Sequence, residues 1–404
     1  MRTSRTSGAI AVVLALLLTA CTATPSPPSP TPGSSTAAGS PSDDCPSGTA
    51  LEGGLCLSGD EISEELAGIL RAEFEADALS AVIAGVWHDG QPVLFGALGE
   101  SMPTVPATPD MHHMLGNLAT PMFTTALLQQ VEAGVLDLDD TIDTWYPDLP
   151  ASDTVTIEML LHNTAGYSQF TGQADFLAEL YADPFRVWEI DEIIDIGTAG
   201  GPLFEPGTDW QFSDTNSAVL VGILAKATGT PVADLVQTGV LDPLGMEDTT
   251  VARNGDWPQP VLHGYDGERG VWEDVTYWNP SWAHFAGGVG SNAADVAVFL
   301  DALGSGELLS DEYHELQFAP TTAGIGSNTD DQYWAMGFLV VNGWVFMNPG
   351  IPGYYGGGGT LPEEGWTMVV YTTPSQRTDP AVATATEIFR KFTSVVSPAN
   401  SLEN

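Results

Sequence analysis

The chain has 404 residues, 10 of them lysine or arginine and 53 aspartate or glutamate, for a formal net charge of −43. So acidic a chain is repelled by phosphate backbones and anionic lipid, which excludes nucleic acid as a partner and electrostatic attraction to a membrane. Hydrophobic residues make up 43% and charged residues only 16%, a folding composition long enough for one large domain or two small ones. Adaptation to a salty or wall-facing surrounding and a plain lineage bias both account for the acidity, and both stay open.

The first stretch, "MRTSRTSGAIAVVLALLLTAC", joins a basic head (Arg2, Arg5) to an apolar run too short for an ordinary transmembrane helix. Residues 1–20 read as a signal peptide. The ending Leu18-Thr19-Ala20-Cys21 resembles a bacterial lipobox. That resemblance implies lipidation of Cys21 and an extracytoplasmic protein anchored to the bacterial cell membrane. Residues 21–42, rich in Pro, Ser and Thr, read as a solvated tether; at about 3 Å per residue it reaches roughly 60 Å. In segment 43–60, Cys45 and Cys56 flank "PSGTALEGGL", and an oxidising compartment makes a local disulfide the natural reading. Closing so short a loop stabilises it by on the order of 3 kcal/mol in the chain-entropy view.

Residues 61–398 read as one globular domain, followed by a tail at 399–404. "ISEELAGILRAEFEAD" has helical periodicity, and "LSAVIAGVWHDGQPVLFGALG" sets two apolar runs around Asp89-Gly90, a hairpin signature. "SAVLVGILAKATG" is a helix closed by a glycine. "WAMGFLVV", "GWVFMN" and "GWTMVVYTT" read as strands, and "DPAVATATEIFRKFTSVV" as a final helix. The expected fold class is α/β (α+β): an antiparallel sheet built from both chain ends, flanked by helices, with an inserted mainly helical region.

Several segments carry a resemblance that covers nearly the whole domain. "LLQQVEAGVLDLDDTIDTWYPDLP", "VTIEMLLHNTAGY", "FEPGTDWQFSDTNSAVLVGILAKATGTPVADLVQTGVLDPLGMEDT", "FAGGVGSNAADVAVFL" and "GIPGYYGGGGTLPEEGWTMVVYTT" occur in the order of the motif blocks of the serine beta-lactamase-like family. The chain resembles that group of class C beta-lactamases, DD-peptidases and esterases. The resemblance implies a beta-lactamase/transpeptidase-like fold. It also implies a serine nucleophile with a lysine one helical turn later, where a neutral amine takes the hydroxyl proton.

The reactive groups are missing from the matching positions. Asn117 and Thr120 stand where the serine and lysine are expected, and neither an amide nor an alcohol acts as a base at neutral pH. Phe212 replaces the tyrosine of a Tyr-x-Asn motif and Asp214 its asparagine. Met347 stands at the cationic or proton-bearing position of the third motif, and Pro349 removes a backbone donor two residues later. The chain has only two lysines, Lys226 and Lys391, both expected on solvated helix faces. Asn117 is suited to capping the helix, with Pro121 in its first turn.

No other catalytic set takes their place in the sequence. Ser168 lacks a second flanking glycine, and turn roles account for Ser213 and Ser291. His112, His113 and His162 have no metal-ligand spacing, so neither metal nor cofactor is expected. Asn117, Thr120, Phe212, Asp214, Met347 and Trp278 are the candidates to line a ligand cleft. Trp272, Tyr277 and Trp282 join Trp278 in an aromatic stretch that suits a binding rim or ordinary packing.

The leading expectation is a surface-tethered pseudoenzyme that binds a cell-wall-related ligand, the resemblance pointing to a peptidoglycan fragment. Two other readings stay open: a serine hydrolase with relocated residues, and an interaction lipoprotein with no small-molecule site. With Asp214 in the cleft and no cation at position 347, neutral or cationic ligands are expected to bind better than carboxylates. The anchor is tested by Cys21→Ala, which is expected to release the protein from the membrane fraction or leave its signal uncleaved. Processing and detergent partitioning like the wild type would show that Cys21 is not lipidated.

Overall fold

Strands buried on both faces read as continuous apolar runs, whereas one-sided strands alternate. The computed structural model of the protein describes residues 45–252, 254–283 and 288–403; Cys21 and the tether of residues 21–42 lie outside the described residues. The continuous path of the main sheet comprises β1 (Ala50–Glu52), β2 (Leu55–Leu57), β3 (Ala81–His88), β4 (Gln91–Met102), β5 (Gln332–Trp334), β6 (Leu339–Val341), β7 (Trp344–Met347), β8 (Tyr354–Leu361) and β9 (Trp366–Thr373), with the short strands Val105–Pro106 and Gly350–Ile351 pairing to β4 and β8. Their order is β1-β2-β4-β3-β9-β8-β7-β6-β5, with neighbours antiparallel. The sheet is therefore built from the two chain ends, with a mainly helical region inserted between them.

In β3 and β9 successive side chains enter different cores. Ile83, Val369 and Tyr371 pack towards the helical region. Val82, Ala84, Met368 and Val370 pack on the opposite face, against α1 (Glu61–Ala76) and the last helix, Thr384–Val396. The β3–β4 connection is the expected two-residue hairpin, with Asp89 and Gly90 both left-handed at φ 49° and 71°. Asp60 caps α1, its carboxylate accepting from the Ser63 amide at 2.7 Å.

The remaining helices that position the site are α2 (Thr120–Glu132), α3 (Ala174–Ala182), α4 (Ile190–Thr198), α5 (Asp214–Thr228) and α6 (Ala293–Ser305); the last helix is α7. Gly229, left-handed at φ 65°, closes α5 as expected.

The domain begins earlier and ends later than the sequence pattern suggests. Cys45 and Cys56 are disulfide-bonded, and β2 pairs with β4, so segment 45–60 is tied into the sheet through Ala50–Leu57. In the tail, Leu402 is buried and its carbonyl accepts from Arg390 Nε at 2.5 Å. Two elements are shorter than their apolar runs. Ala335–Phe338 of "WAMGFLVV" form a turn around Gly337 at φ 99°, and α7 starts only at Thr384.

β8 is the strand that composition hides, since Gly356–Gly359 offer no side chain to pack. Their neighbours explain them. A Cβ on Gly358 would lie 2.5 Å from Leu118 Cδ2, and one on Gly359 would lie 2.3 Å from the Val345 carbonyl oxygen and 3.0 Å from Phe389 Cζ. Gly359→Ala is expected to destabilise the protein by about 2–3 kcal/mol, because the backbone of β7 cannot yield as a side chain can. Gly68→Ala, on the exposed face of α1 with open space around it, is expected to stabilise by about 0.5–1 kcal/mol. Denaturant melts of both variants check the contrast.

Candidate functional site

From the short strand His113–Met114 the chain enters a single 3₁₀ turn, Gly116–Ala119, before α2 starts at Thr120. Gly116 is left-handed at φ 52°, and a Cβ there would meet Pro349 Cβ at 2.6 Å. The turn presents Asn117 to the N-terminus of α5. The expectation that Asn117 caps α2 is not met: the cap position is Ala119, with no side-chain cap bond, and the Asn117 side chain bonds the Asp214 carboxylate instead. Pro121 does lie in the first turn, where its missing N–H is not needed.

Asp214 is the first residue of α5, after the capping Ser213, whose Oγ accepts from the Thr215 amide at 3.2 Å. The loop before α3 is tied to this helix end. Asn163 Oδ1 accepts from the Ser213 amide at 3.0 Å and from Asn216 Nδ2 at 2.8 Å. Gln169 bonds Asp214 twice: Oε1 accepts from its amide and Nε2 donates to its Oδ2, both at 2.7 Å. Thr171 and Asn117 also donate to the carboxylate. These partners are all neutral, and among the described residues no cation pairs with Asp214. Burial pushes its carboxyl up to about 6, while the three side-chain donors pull it back down.

Above Asp214 lies a cavity of about 240 Å³. Asn117, Thr171, Asp214 and Ser217 supply its polar lining. Phe170, Trp282 and the α3 side chains Phe176, Leu177, Leu180 and Tyr181 form one wall, and Pro349–Pro352 the other. Burial holds the Tyr181 phenol up to about 12, so it stays neutral. Asp214 is the only described lining residue that carries a full charge.

Of the candidates, Asn117 and Asp214 line this cavity and the others do not. Thr120 is 4% exposed in the first turn of α2, packed in the interior. Met347 ends β7 with its side chain in the main core, because the alternation of the strand turns it inwards. Phe212 packs edge-on against Trp334, ring centroids 5.3 Å apart. Trp278 lies behind the wall, 6.2 Å from the Tyr181 ring, while Trp282 of the same aromatic stretch reaches the cavity. Trp272 and Tyr277 are exposed and do not line it.

Neither lysine reaches the cleft. Lys226 lies over the Tyr146 ring at 3.3 Å, and Lys391 pairs with Glu73 at 2.6 Å on the far side of the sheet. Ser168 donates to the Gly197 carbonyl at 2.8 Å, and Ser291 shares a 2.7 Å hydrogen bond with Thr249. His113 stacks on Tyr371 at 4.2 Å, and burial pushes its imidazole down to about 3; burial likewise pushes His162 down to about 4. His112 bonds the Pro260 carbonyl at 2.8 Å. Among the described residues no group of three or more His, Cys, Asp and Glu side chains is placed to hold a metal ion.

Sequence reasoning missed Gln169, Thr171 and Ser217. Ser217 was within reach, one helical turn after Asp214. Gln169 and Thr171 lie in a loop whose folding onto α5 no local pattern announces.

A sheet made from both chain ends, an inserted helical region and a cleft at the head of α2 define the class as a penicillin-binding-protein-like hydrolase fold. D-amino acid amidase from Ochrobactrum anthropi SV3, solved with L-phenylalanine amide, superposes with a TM-score of 0.70 at 23% identity, covering 85% of this chain and 100% of that one. The Beta-lactamase family profile matches residues 66–391, and the chain belongs to that family. Penicillin-binding protein 4* of Bacillus subtilis (strain 168) is 28% identical over 248 residues, 58% of this chain and 52% of the relative. Esterase EstB of Burkholderia gladioli is 28% identical over 272 residues, 58% of this chain and 67% of the relative. In the Bacillus penicillin-binding proteins, the chain spans about half the length of the relatives it matches.

A carboxyl raised from 3.8 to about 6 is more stable protonated in the folded state. Its favourable contribution is full below pH 4 and lost as pH rises through 6. Asp214→Asn is therefore expected to stabilise the protein at pH 7.5, by on the order of 1–3 kcal/mol, with the gain vanishing near pH 4. Melts at the two pH values check it; a variant less stable at pH 7.5 than at pH 4, relative to wild type, would contradict the sign.

Proposed function

We propose that this is a lipid-tethered, extracytoplasmic binding protein that keeps the beta-lactamase scaffold and has given up acyl-enzyme chemistry. The observation that carries this reading is that Asn117 and Asp214 lie side by side in the lining of the cleft, with no lysine near them. The position where the family resemblance calls for an activated serine holds an amide, the lysine position holds the buried Thr120, and the polar neighbour of the amide is the Asp214 carboxylate. An amide has no nucleophilic oxygen or useful basicity, and the buried Thr120 hydroxyl cannot take a proton as a neutral amine would. The burial of Thr120 and Met347 and the packing of Phe212 on Trp334 support the same reading. The cleft itself, with polar groups beneath an apolar wall, supports ligand binding. The penicillin-binding relatives make cell-wall fragments the first ligands to try.

One observation favours a second reading. Ser217 lines the cavity one turn from Asp214, and a relocated hydrolase would find its nucleophile there. Incubation with a fluorescent penicillin and with a fluorophosphonate decides between them. No covalent adduct is expected in an intact-mass spectrum, and nitrocefin and simple esters are expected to turn over no faster than in buffer. An adduct on Ser217, or turnover abolished by Ser217→Ala, would establish the hydrolase. Asn117→Ser with Thr120→Lys is expected to yield at most slow acylation, since residue 120 is buried and the other two motifs stay inert.

A further inference from the structure

Asp214 poses a question that the loss of catalysis leaves open. A carboxylate largely withdrawn from water is normally paired with a cation or coordinated to a metal, and Asp214 is partly buried at the floor of the cavity. This one is held by amides and a hydroxyl alone. A carboxylate offers about four lone-pair directions. Gln169 Nε2 takes one at 2.7 Å, Thr171 and Asn117 stand close by, and the residue lines the cavity with acceptor capacity to spare. Asn117 lines the cavity next to Asp214 and adds a second polar side chain to the same seat. The Ser217 hydroxyl is a further polar group on the same lining. A negative charge with neighbouring acceptors asks for a donor-rich cation.

The wall supplies the rest of the specificity. Phe176 lies 5.0 Å from Phe170 and 6.0 Å from Trp282 between ring centroids, and all three line the cavity with Tyr181. Aromatic faces attract a cation and also pack a flat apolar body. The volume, about 240 Å³, falls below the roughly 300–1,000 Å³ of pockets for drug-sized ligands, so the occupant is small.

We propose that the cleft binds a small amine with an aromatic or branched apolar body. Its ammonium is seated on Asp214, and its body lies against Phe176, Tyr181 and Trp282. The inference rests on the reading of the cleft as a binding site, and the measurements below separate the two.

The seat depends on pH in a stated direction. The turn at 116–119 faces Asp214 with Asn117, the loop with Gln169 and Thr171, and α3 with the neutral Tyr181; the described lining at Trp282–Ala283 and Pro349–Pro352 has no titratable group. Asp214 alone among these titrates near neutrality, about 6, and only its ionised form pairs with an ammonium.

Calorimetry with four probes tests the proposal: 2-phenylethylamine, its N-acetyl derivative, its N,N,N-trimethyl derivative, and 3-phenylpropionate. At pH 7.5 the amine is expected to bind at least about tenfold tighter than the N-acetyl compound and the carboxylate. The trimethyl compound keeps the charge but has no N–H, and is expected to fall between. Asp214→Asn, which is expected to fold more stably than wild type, should lose about tenfold or more for the amine and little for the N-acetyl probe. In wild type the amine's affinity should drop by about tenfold for each pH unit well below 6. Equal or tighter binding of the N-acetyl or carboxylate probe, no response to Asp214→Asn and pH, or no amine binding up to about 10 mM would overturn it. An acyl adduct in the mass spectrum would sink the non-catalytic reading while leaving these affinities to judge the ammonium seat.

Discussion

Two helical layers press on one strand from opposite faces, and the glycines of β8 are what let them. Leu118, from the turn that precedes α2, sits against Gly358, and Phe389 of α7 approaches Gly359 from the other side. Had β8 carried ordinary side chains, both layers would stand off and the interior would lose the contact density on which a well-packed core depends. The site depends on the same contact. Leu118 is the residue after Asn117, so seating Leu118 on the bare strand sets how deep the 116–119 turn lies. Pro349 completes the arrangement, touching the space above both Gly116 and Gly356 and giving its carbonyl to the Gly356 amide at 2.9 Å.

On that frame the cleft has exchanged one kind of polarity for another. Positions where the family resemblance calls for a nucleophile, its base and a proton relay hold an amide, an alcohol and a phenyl ring, and a carboxylate stands where a substrate-binding amide is expected. The substitutions are coherent: a carboxylate at the head of α5 is favoured by the helix dipole and held by Gln169, Thr171 and Asn117. Its remaining cost is desolvation, visible in the upward shift of its carboxyl. The charge is kept at that cost within a small aromatic-walled cavity.

Much of the architecture was legible in the residues. The Asp89-Gly90 hairpin, the glycine-capped α5 and the sheet made from both chain ends followed from turn chemistry and apolar periodicity, which are local. β8 was not legible as a strand, because its signal is the absence of side chains and its reason lies in Leu118, Val345 and Phe389, far away in the chain. The same limit set the errors at the site. Asn117 carries the chemistry of a helix cap, but a 3₁₀ turn intervenes before α2 and turns its side chain to Asp214. Met347 and Thr120 occupy motif positions, yet once the functional groups are gone apolar burial claims them.

The sequence by itself determined the fold, the family resemblance and the absence of a serine–lysine pair, since each rests on residue identity and short-range spacing. Tertiary structure decided what replaced that pair. Only folding the 163–173 loop onto α5 surrounds Asp214 with neutral donors, and only packing α3 beside it supplies the aromatic wall. Hydrogen bonds and ring contacts between segments tens of residues apart depend on distances in space, and no local pattern along the chain encodes them.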